Sequence, residues 1–203
     1  KIVEELKPKA RAAGLWNLFL PHSPRAPQGL TNLEYAPLCE IMGRVPFAAE
    51  VFNCSAPDTG NMETIARYGS AENKARWLKP LLEGKIRSAF AMTEPEHAGS
   101  NPVHMSTTAV REGDEYVING HKWFTSSADG ASFTIVMAVT NPSAENPYAK
   151  ASMILVPLDT PGYRRIRNIS IMGDEGEDYL SHSEVEFVNC RVPVSHLIGE
   201  EGS

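Results

Sequence analysis

Phe90-Ala-Met-Thr-Glu-Pro-Glu-His-Ala-Gly-Ser-Asn101 is the stretch around which this 203-residue chain is organised. It follows a helical half and opens a run of strand-like segments. A short apolar strand (Phe90, Ala91, Met92) leads into the Thr93 hydroxyl, a turn interrupted by Pro95, and the pair Gly99-Ser100. A strand end of this kind offers backbone N–H groups, one side-chain hydroxyl and a close-approach glycine to a single spot, which suits a polar ring or a phosphate. On composition alone, an ordinary strand-to-loop connection reads it equally well.

Upstream of this stretch the periodicity is helical. Leu6, Ala10 and Ala13 keep helical spacing up to a stop at Gly14, although Pro8 argues against an unbroken helix there. Residues 21–29 read as a loop. Thr31 with Glu34 is a capping-box signature; beyond it Leu38, Ile41, Met42 and Val45 define one face to bury, and Pro37 bends that helix or marks its first turn. Two further helices fill residues 61–84. The first carries Met62, Ile65 and Tyr68 and stops at Gly69; the second is capped by Ser70, carries Ala75, Leu78, Leu81 and Leu82, has Pro80 near its end and closes at Gly84.

After Lys85 the period shifts from 3.6 towards 2. Residues 87–93, 107–111, 115–119, 133–140, 152–157 and 184–188 read as strands. Gly113-Asp114 is a candidate tight hairpin, and Asn119-Gly120 is the strongest turn dipeptide in the chain. The acidic residues 174–178 read as a solvated loop. The expected fold class is α+β: a helical N-terminal domain over residues 1–85, then an antiparallel, β-barrel-like domain over residues 86–203.

Composition narrows the function. Hydrophobic residues make up 42% of the chain, enough for a core. A net charge of −6 without a basic run disfavours nucleic acid and anionic membrane as partners. No apolar run approaches the roughly 20 residues of a membrane span. The sequence opens on a lysine inside an apparent helix with no signal peptide in view, so its true start is expected upstream. Cys39, Cys54 and Cys190 are odd in number and far apart, which fits reduced thiols in an intracellular protein. The triplets Asn53-Cys-Ser55 and Asn168-Ile-Ser170 then count as chance matches to a glycosylation pattern. Dinucleotide-binding, P-loop, nucleophile-elbow, zinc-protease and paired-cysteine motifs are all missing, and the six histidines lack metal-ligand spacing.

A second stretch, Ile118-Asn-Gly-His-Lys-Trp-Phe-Thr-Ser-Ser127, reads as a turn, a basic residue, two aromatics and a run of hydroxyls. Strict alternation turns Trp123 and Phe124 to opposite faces and puts Phe124 on one face with Ser126. That makes a stacking wall with a hydrogen-bonding handle for a planar ring. Two core aromatics beside a surface serine are the plainer alternative.

Together the two stretches resemble the acyl-CoA dehydrogenase family of flavoenzymes, through strand–Thr-Glu-Pro–Gly-Ser followed by Asn-Gly-x-Lys-aromatic-aromatic-x-Ser. Ala56-Pro-Asp-Thr-Gly-Asn-Met62, Tyr68-Gly-Ser70, the Trp77 to Gly84 run and Val192-Pro193 extend the likeness over essentially the whole chain. The Ala56 to Met62 run and His182 ahead of Glu184 are similar to the branch joined, in some eukaryotes, to kinase-like domains.

The resemblance implies FAD as cofactor and an acyl-CoA thioester as substrate. It places Phe90 beside the isoalloxazine, and Met92 and Thr93 at its pyrimidine side. Gly99 and Ser100 fall at the thioester region or the cofactor phosphates, so Ser100 is also the substrate-binding candidate. Phe124 stands where a tryptophan usually covers the ring; Thr125 and Ser126 follow it, Ser126 replacing the usual threonine near flavin N5. Asn101 replaces an aspartate, leaving the loop one charge less negative. The implied reaction removes an α-proton with a glutamate while the β-hydrogen leaves as hydride, giving a trans-2-enoyl-CoA and passing electrons to an electron-transfer flavoprotein. The family adds a C-terminal helical bundle that holds the catalytic glutamate. This chain ends before that bundle, so no catalytic residue is assigned within it. The full protein is expected to be a homodimer or homotetramer, cytoplasmic if bacterial, mitochondrial or peroxisomal if eukaryotic. Two alternatives stay open: an oxygen-using flavoenzyme of the same fold, such as a monooxygenase or nitroalkane oxidase, and a non-catalytic binding module.

Overall fold

A computed structural model of the chain describes residues 2–21, 29–99 and 101–202. By its contacts the chain divides into two compact units, residues 1–63 and 64–203. The division falls inside a helix rather than at 85/86, where the sequence changes period. The loop expected over 21–29 lies mostly outside the described residues, as does Ser100.

The first unit is helical. Helix α1 (Ile2–Ala12) ends ahead of Gly14, which takes the left-handed conformation at φ 72°. It runs straight through Pro8, contrary to expectation. The turn is held from outside: the Lys7 ammonium lies 2.9 Å from Glu50, a buried residue of the short helix α3 (Ala48–Val51), and Ala10 is buried. Helix α2 (Asn32–Met42) starts at the expected capping box, with the Thr31 hydroxyl accepting from Glu34 N–H and the Glu34 carboxylate accepting from Thr31 N–H. Pro37 sits inside it without ending it. Its apolar face, however, is not buried: no residue of α2 is, and Ile41 is 60% exposed. Of the stripe, Leu38 and Met42 are half-buried while Ile41 and Val45 stay exposed, so the described residues cover it only in part.

Helix α4 (Asp58–Tyr68) leads into the second unit. Ser70 then caps a continuous helical run made of α5 (Ala71–Asn73), a π-helical turn (Lys74–Leu78) and α6 (Lys79–Leu82). Pro80 lacks the N–H that an α-helical bond would require, and the wider turn lies immediately before it.

The rest is one eight-stranded sheet: β1 (Ser88–Ala91), β2 (Thr108–Glu112), β3 (Glu115–Ser126), β4 (Phe133–Val139), β5 (Ala151–Pro157), β6 (Tyr163–Asn168), β7 (His182–Pro193) and β8 (Leu197–Ile198). The order is β6-β7-β3-β2-β4-β5-β8, with β1 beside β4. Pairing is antiparallel except that β1 and β2 each run parallel to β4. One core cluster collects Ala89, Ala109, Ile118, Val136, Ile154 and Phe187 from six different strands, so the sheet curls around its own interior.

Gly113-Asp114 forms the expected two-residue hairpin, Gly113 at φ 62°. Asn119-Gly120 does not form a turn; β3 runs straight through it. The pair belongs to an irregularity in the ladder, where β7 carries an extra residue and Asn189 takes φ 49°. The Asn119 side chain accepts the Asn189 N–H at 2.8 Å, and a Cβ on Gly120 would strike the Thr107 side chain. The dipeptide marks a bulge and a close approach instead. Strands β6 and β8 were not foreseen: β6 is a mostly exposed edge rich in arginine, and β8 has only two residues.

Candidate functional site

The two stretches singled out in the sequence meet. Trp123 N–H donates to the Thr93 carbonyl at 3.0 Å, and the Thr93 hydroxyl donates to the Trp123 carbonyl at 2.8 Å. Beside this bracket the Lys122 ammonium donates to the Met92 carbonyl (2.7 Å) and to the Glu94 carboxylate (2.9 Å). Three successive residues at the end of β1 are thus gripped by two residues of β3.

The grip is buried. Lys122 is 0% and Glu94 2% exposed. The remaining Glu94 capacity is taken by Ser106 N–H (2.6 Å) and Thr107 N–H (2.9 Å). Burial alone would raise the Glu94 pKa; the Thr107 hydroxyl, Lys122 and the two backbone donors outweigh it and hold the carboxyl below its usual range. For Lys122 burial prevails over Glu94 and brings the ammonium down to about 8. Glu94 is therefore a structural anion.

Glu96 is occupied as well. His121 lies between two carboxylates, with Nδ1 3.1 Å from Glu96 and Nε2 2.9 Å from Glu184, which in turn accepts from Arg167 at 2.7 Å. Partial burial would lower the His121 pKa, but the two carboxylates raise it. This clamp ties the loop after Thr93 to β7.

The expected facing of Trp123 and Phe124 needs correction. Lys122 pairs with Val185 and Thr125 with Ser183, so β3 spends one extra residue there, and Phe124 takes φ 50°. The bulge brings the two rings to 4.9 Å instead of parting them. It also inverts the alternation: Lys122 and Thr125 turn inward and are fully buried, while Ser126 turns out with His182 opposite it. A bulky residue in the left-handed region costs about 1–3 kcal/mol and clusters at functional sites.

The candidate residues separate accordingly. Phe90 pairs with Ile135 along β1, and Met92 and Thr93 follow at the strand end. Gly99 packs against Thr93, where a Cβ would come within 2.6 Å of its methyl, so the glycine lets the loop lie on the Thr93 side chain. Phe124 is 41% exposed. The Thr125 side chain is buried with its hydroxyl unpartnered among the described residues. The Ser126 hydroxyl lies 2.8 Å from His182 Nδ1. Sequence reasoning missed Lys122, His121 and His182 as parts of this centre. A lysine set directly before two aromatic residues was the available signal for the first.

A cavity of about 280 Å³ opens beyond the loop, lined by Pro102, Val103, Met105, Met137, Val139 and Tyr148 among others.

Residues 1–85 match the acyl-CoA dehydrogenase N-terminal domain and residues 89–190 the middle domain of the same family. The chain belongs to the acyl-CoA dehydrogenase family. Relatives include FadE2 of Mycobacterium tuberculosis, named as an acyl-CoA dehydrogenase, 51% identical over 100% of this chain and 49% of its own length. Acyl-CoA dehydrogenase family member 11 of Gallus gallus is 50% identical over 99% of this chain and 26% of its own. A solved acyl-CoA dehydrogenase structure from Mycobacterium abscessus superposes with a TM-score of 0.93 at 52% identity, covering 98% of this chain and 49% of that one. PigA, solved with FAD and proline, gives 0.79 at 29% identity over 98% and 50%. The chain therefore spans about half the length of FadE2 and a quarter of the avian relative. No helix among its described residues is long and apolar enough to cross a membrane.

Proposed function

We propose that this chain forms the flavin-facing part of an FAD-dependent acyl-CoA dehydrogenase that oxidises an acyl-CoA thioester to a trans-2-enoyl-CoA. The observation that carries the reading is the bracketed strand end. Thr93 and the bulged Trp123–Phe124–Ser126 segment sit on adjoining backbone, joined by two hydrogen bonds at 2.8 and 3.0 Å. An exposed aromatic side chain flanked by two hydroxyl oxygens, with strand-end backbone groups beside them, matches a flat heteroaromatic ring with a polar edge such as an isoalloxazine. FAD would supply hydride acceptance there.

This chain's residues would bind and orient. Phe90, Met92, Thr93, Gly99, Phe124, Thr125 and Ser126 hold the ring side, and Ser100 is carried forward as the contact shared with the thioester. The cavity beyond Asn101 is mostly apolar and suits the substrate's extended arm. The buried Lys122–Glu94 pair keeps the strand end rigid, so its donors need no reorganisation as charge develops. Glu94 is buried within its own hydrogen bonds and Glu96 is paired with His121, consistent with a base supplied from outside this chain.

Electron-transfer flavoprotein as acceptor, a homodimeric or homotetrameric assembly and an intracellular location belong to the same proposal. The test is to purify the full-length protein, record its flavin spectrum and add a chain-length series of acyl-CoAs anaerobically. Bleaching by a thioester is expected; bound FAD that no thioester bleaches rejects the substrate. PigA, solved with FAD and proline, favours a second reading, a flavoenzyme acting on a non-thioester substrate. Bleaching by a small amine or amino acid alone would establish it.

A further inference from the structure

Thr93 and Ser126 both present a hydroxyl at this site, yet their protons are held differently. Thr93 donates to the Trp123 carbonyl at 2.8 Å. A carbonyl is only an acceptor, so the Thr93 proton is committed and its oxygen can offer a ligand nothing but lone pairs. Ser126 instead faces an imidazole nitrogen, His182 Nδ1, at 2.8 Å. That nitrogen accepts when bare and donates when it carries hydrogen.

The pairing is built by the backbone. Ser126 and His182 lie directly opposite on β3 and β7, and the bulge at Trp123–Phe124 turns Ser126 outward to meet His182. Their inward neighbours, Thr125 and Ser183, are both fully buried. Glu184, two residues on from His182, is engaged by His121 and Arg167.

We propose that His182 is a positioning residue acting through Ser126: it sets whether the Ser126 hydroxyl donates to, or accepts from, the edge of the bound cofactor. With Nδ1–H, the imidazole donates to the serine oxygen and releases the serine proton toward the ligand. With Nδ1 bare, the serine proton turns to His182 and lone pairs face outward. No heavy atom moves between these arrangements. The inference rests on the flavin reading above, because an oxidised flavin presents a bare ring nitrogen at its central edge and the reduced form an N–H. Both redox forms would find a hydrogen-bond partner at one oxygen.

The experiment is a double-mutant cycle in the full-length protein, with the FAD dissociation constant measured for oxidised and for reduced cofactor. His182→Phe, and His182→Leu in parallel, should change the ratio of the two constants about three- to tenfold, as expected for one hydrogen bond. Ser126→Ala should weaken both constants by a similar factor, and in that background His182→Phe should leave the ratio unchanged, because His182 acts only through the serine oxygen. His182→Asn, whose amide reaches the Nδ1 position with either a donor or an acceptor, should restore the ratio to within about twofold. An unchanged ratio in both His182 variants, or effects that add in the double variant, overturns the proposal while leaving the flavin reading intact. Protein that takes up no FAD overturns both.

Discussion

Helix α2 and strand β3 are both amphipathic by pattern, yet only β3 has residues of its inner face fully buried. In α2 no residue is buried, and Leu33 and Ile41 are 85% and 60% exposed. In β3 Ile118, Lys122 and Thr125 are all fully buried, although two of the three are polar. A helix of this length needs another element against its stripe, whereas the sheet bends round and supplies its own cover. Apolar periodicity thus reports which face is meant for burial. What covers that face is a matter of partners, and once cover exists it draws in polar groups that can satisfy one another.

The sharpest way to break the contrast is at the buried pair. Lys122→Met should cost on the order of 3–5 kcal/mol in urea unfolding, because it leaves the Glu94 carboxylate uncompensated, and adding Glu94→Gln should recover much of the loss. Phe187→Ala, in the core cluster, should cost about 3–5 kcal/mol through the cavity it leaves. Gly120→Ala should cost about 1–3 kcal/mol, since a Cβ there strikes Thr107, and Thr107→Gly, which removes the struck side chain, should make the two changes less than additive.

A smaller effect is expected from the His121 clamp. Its pKa is raised by Glu96 and Glu184, so its contribution to stability is complete below the ordinary imidazole value of about 6.5 and fades as pH climbs through the raised value. His121→Gln should flatten that part of a stability-versus-pH curve. At the other end of the comparison, Ile41→Ala on α2 should stay within about 0.5 kcal/mol of the parent. A loss of several kcal/mol there would mean that the α2 face is covered in solution.

Much of the architecture was legible where the signal is local. The Thr31 capping box, the Ser70 cap, the Gly113-Asp114 hairpin and the change of period after Lys85 depend on residues a few positions apart, and each stands where expected. The two stretches that form the candidate site could be singled out for the same reason. Asn119-Gly120 was misread because a glycine needed for close approach and a glycine needed for a turn look alike in sequence. Strict alternation failed at Trp123–Phe124 because a bulge is a mismatch between two strands.

The sequence by itself determined the α+β order, most strand positions and the family's signature, since propensity, capping and periodicity act within a few residues. Only the tertiary structure decided that Lys122 and Glu94 are buried together, that Pro8 and Pro37 are tolerated inside helices, and that Ser126 faces His182. These outcomes depend on desolvation and register between segments far apart in the chain, terms that arise only once the strands have paired.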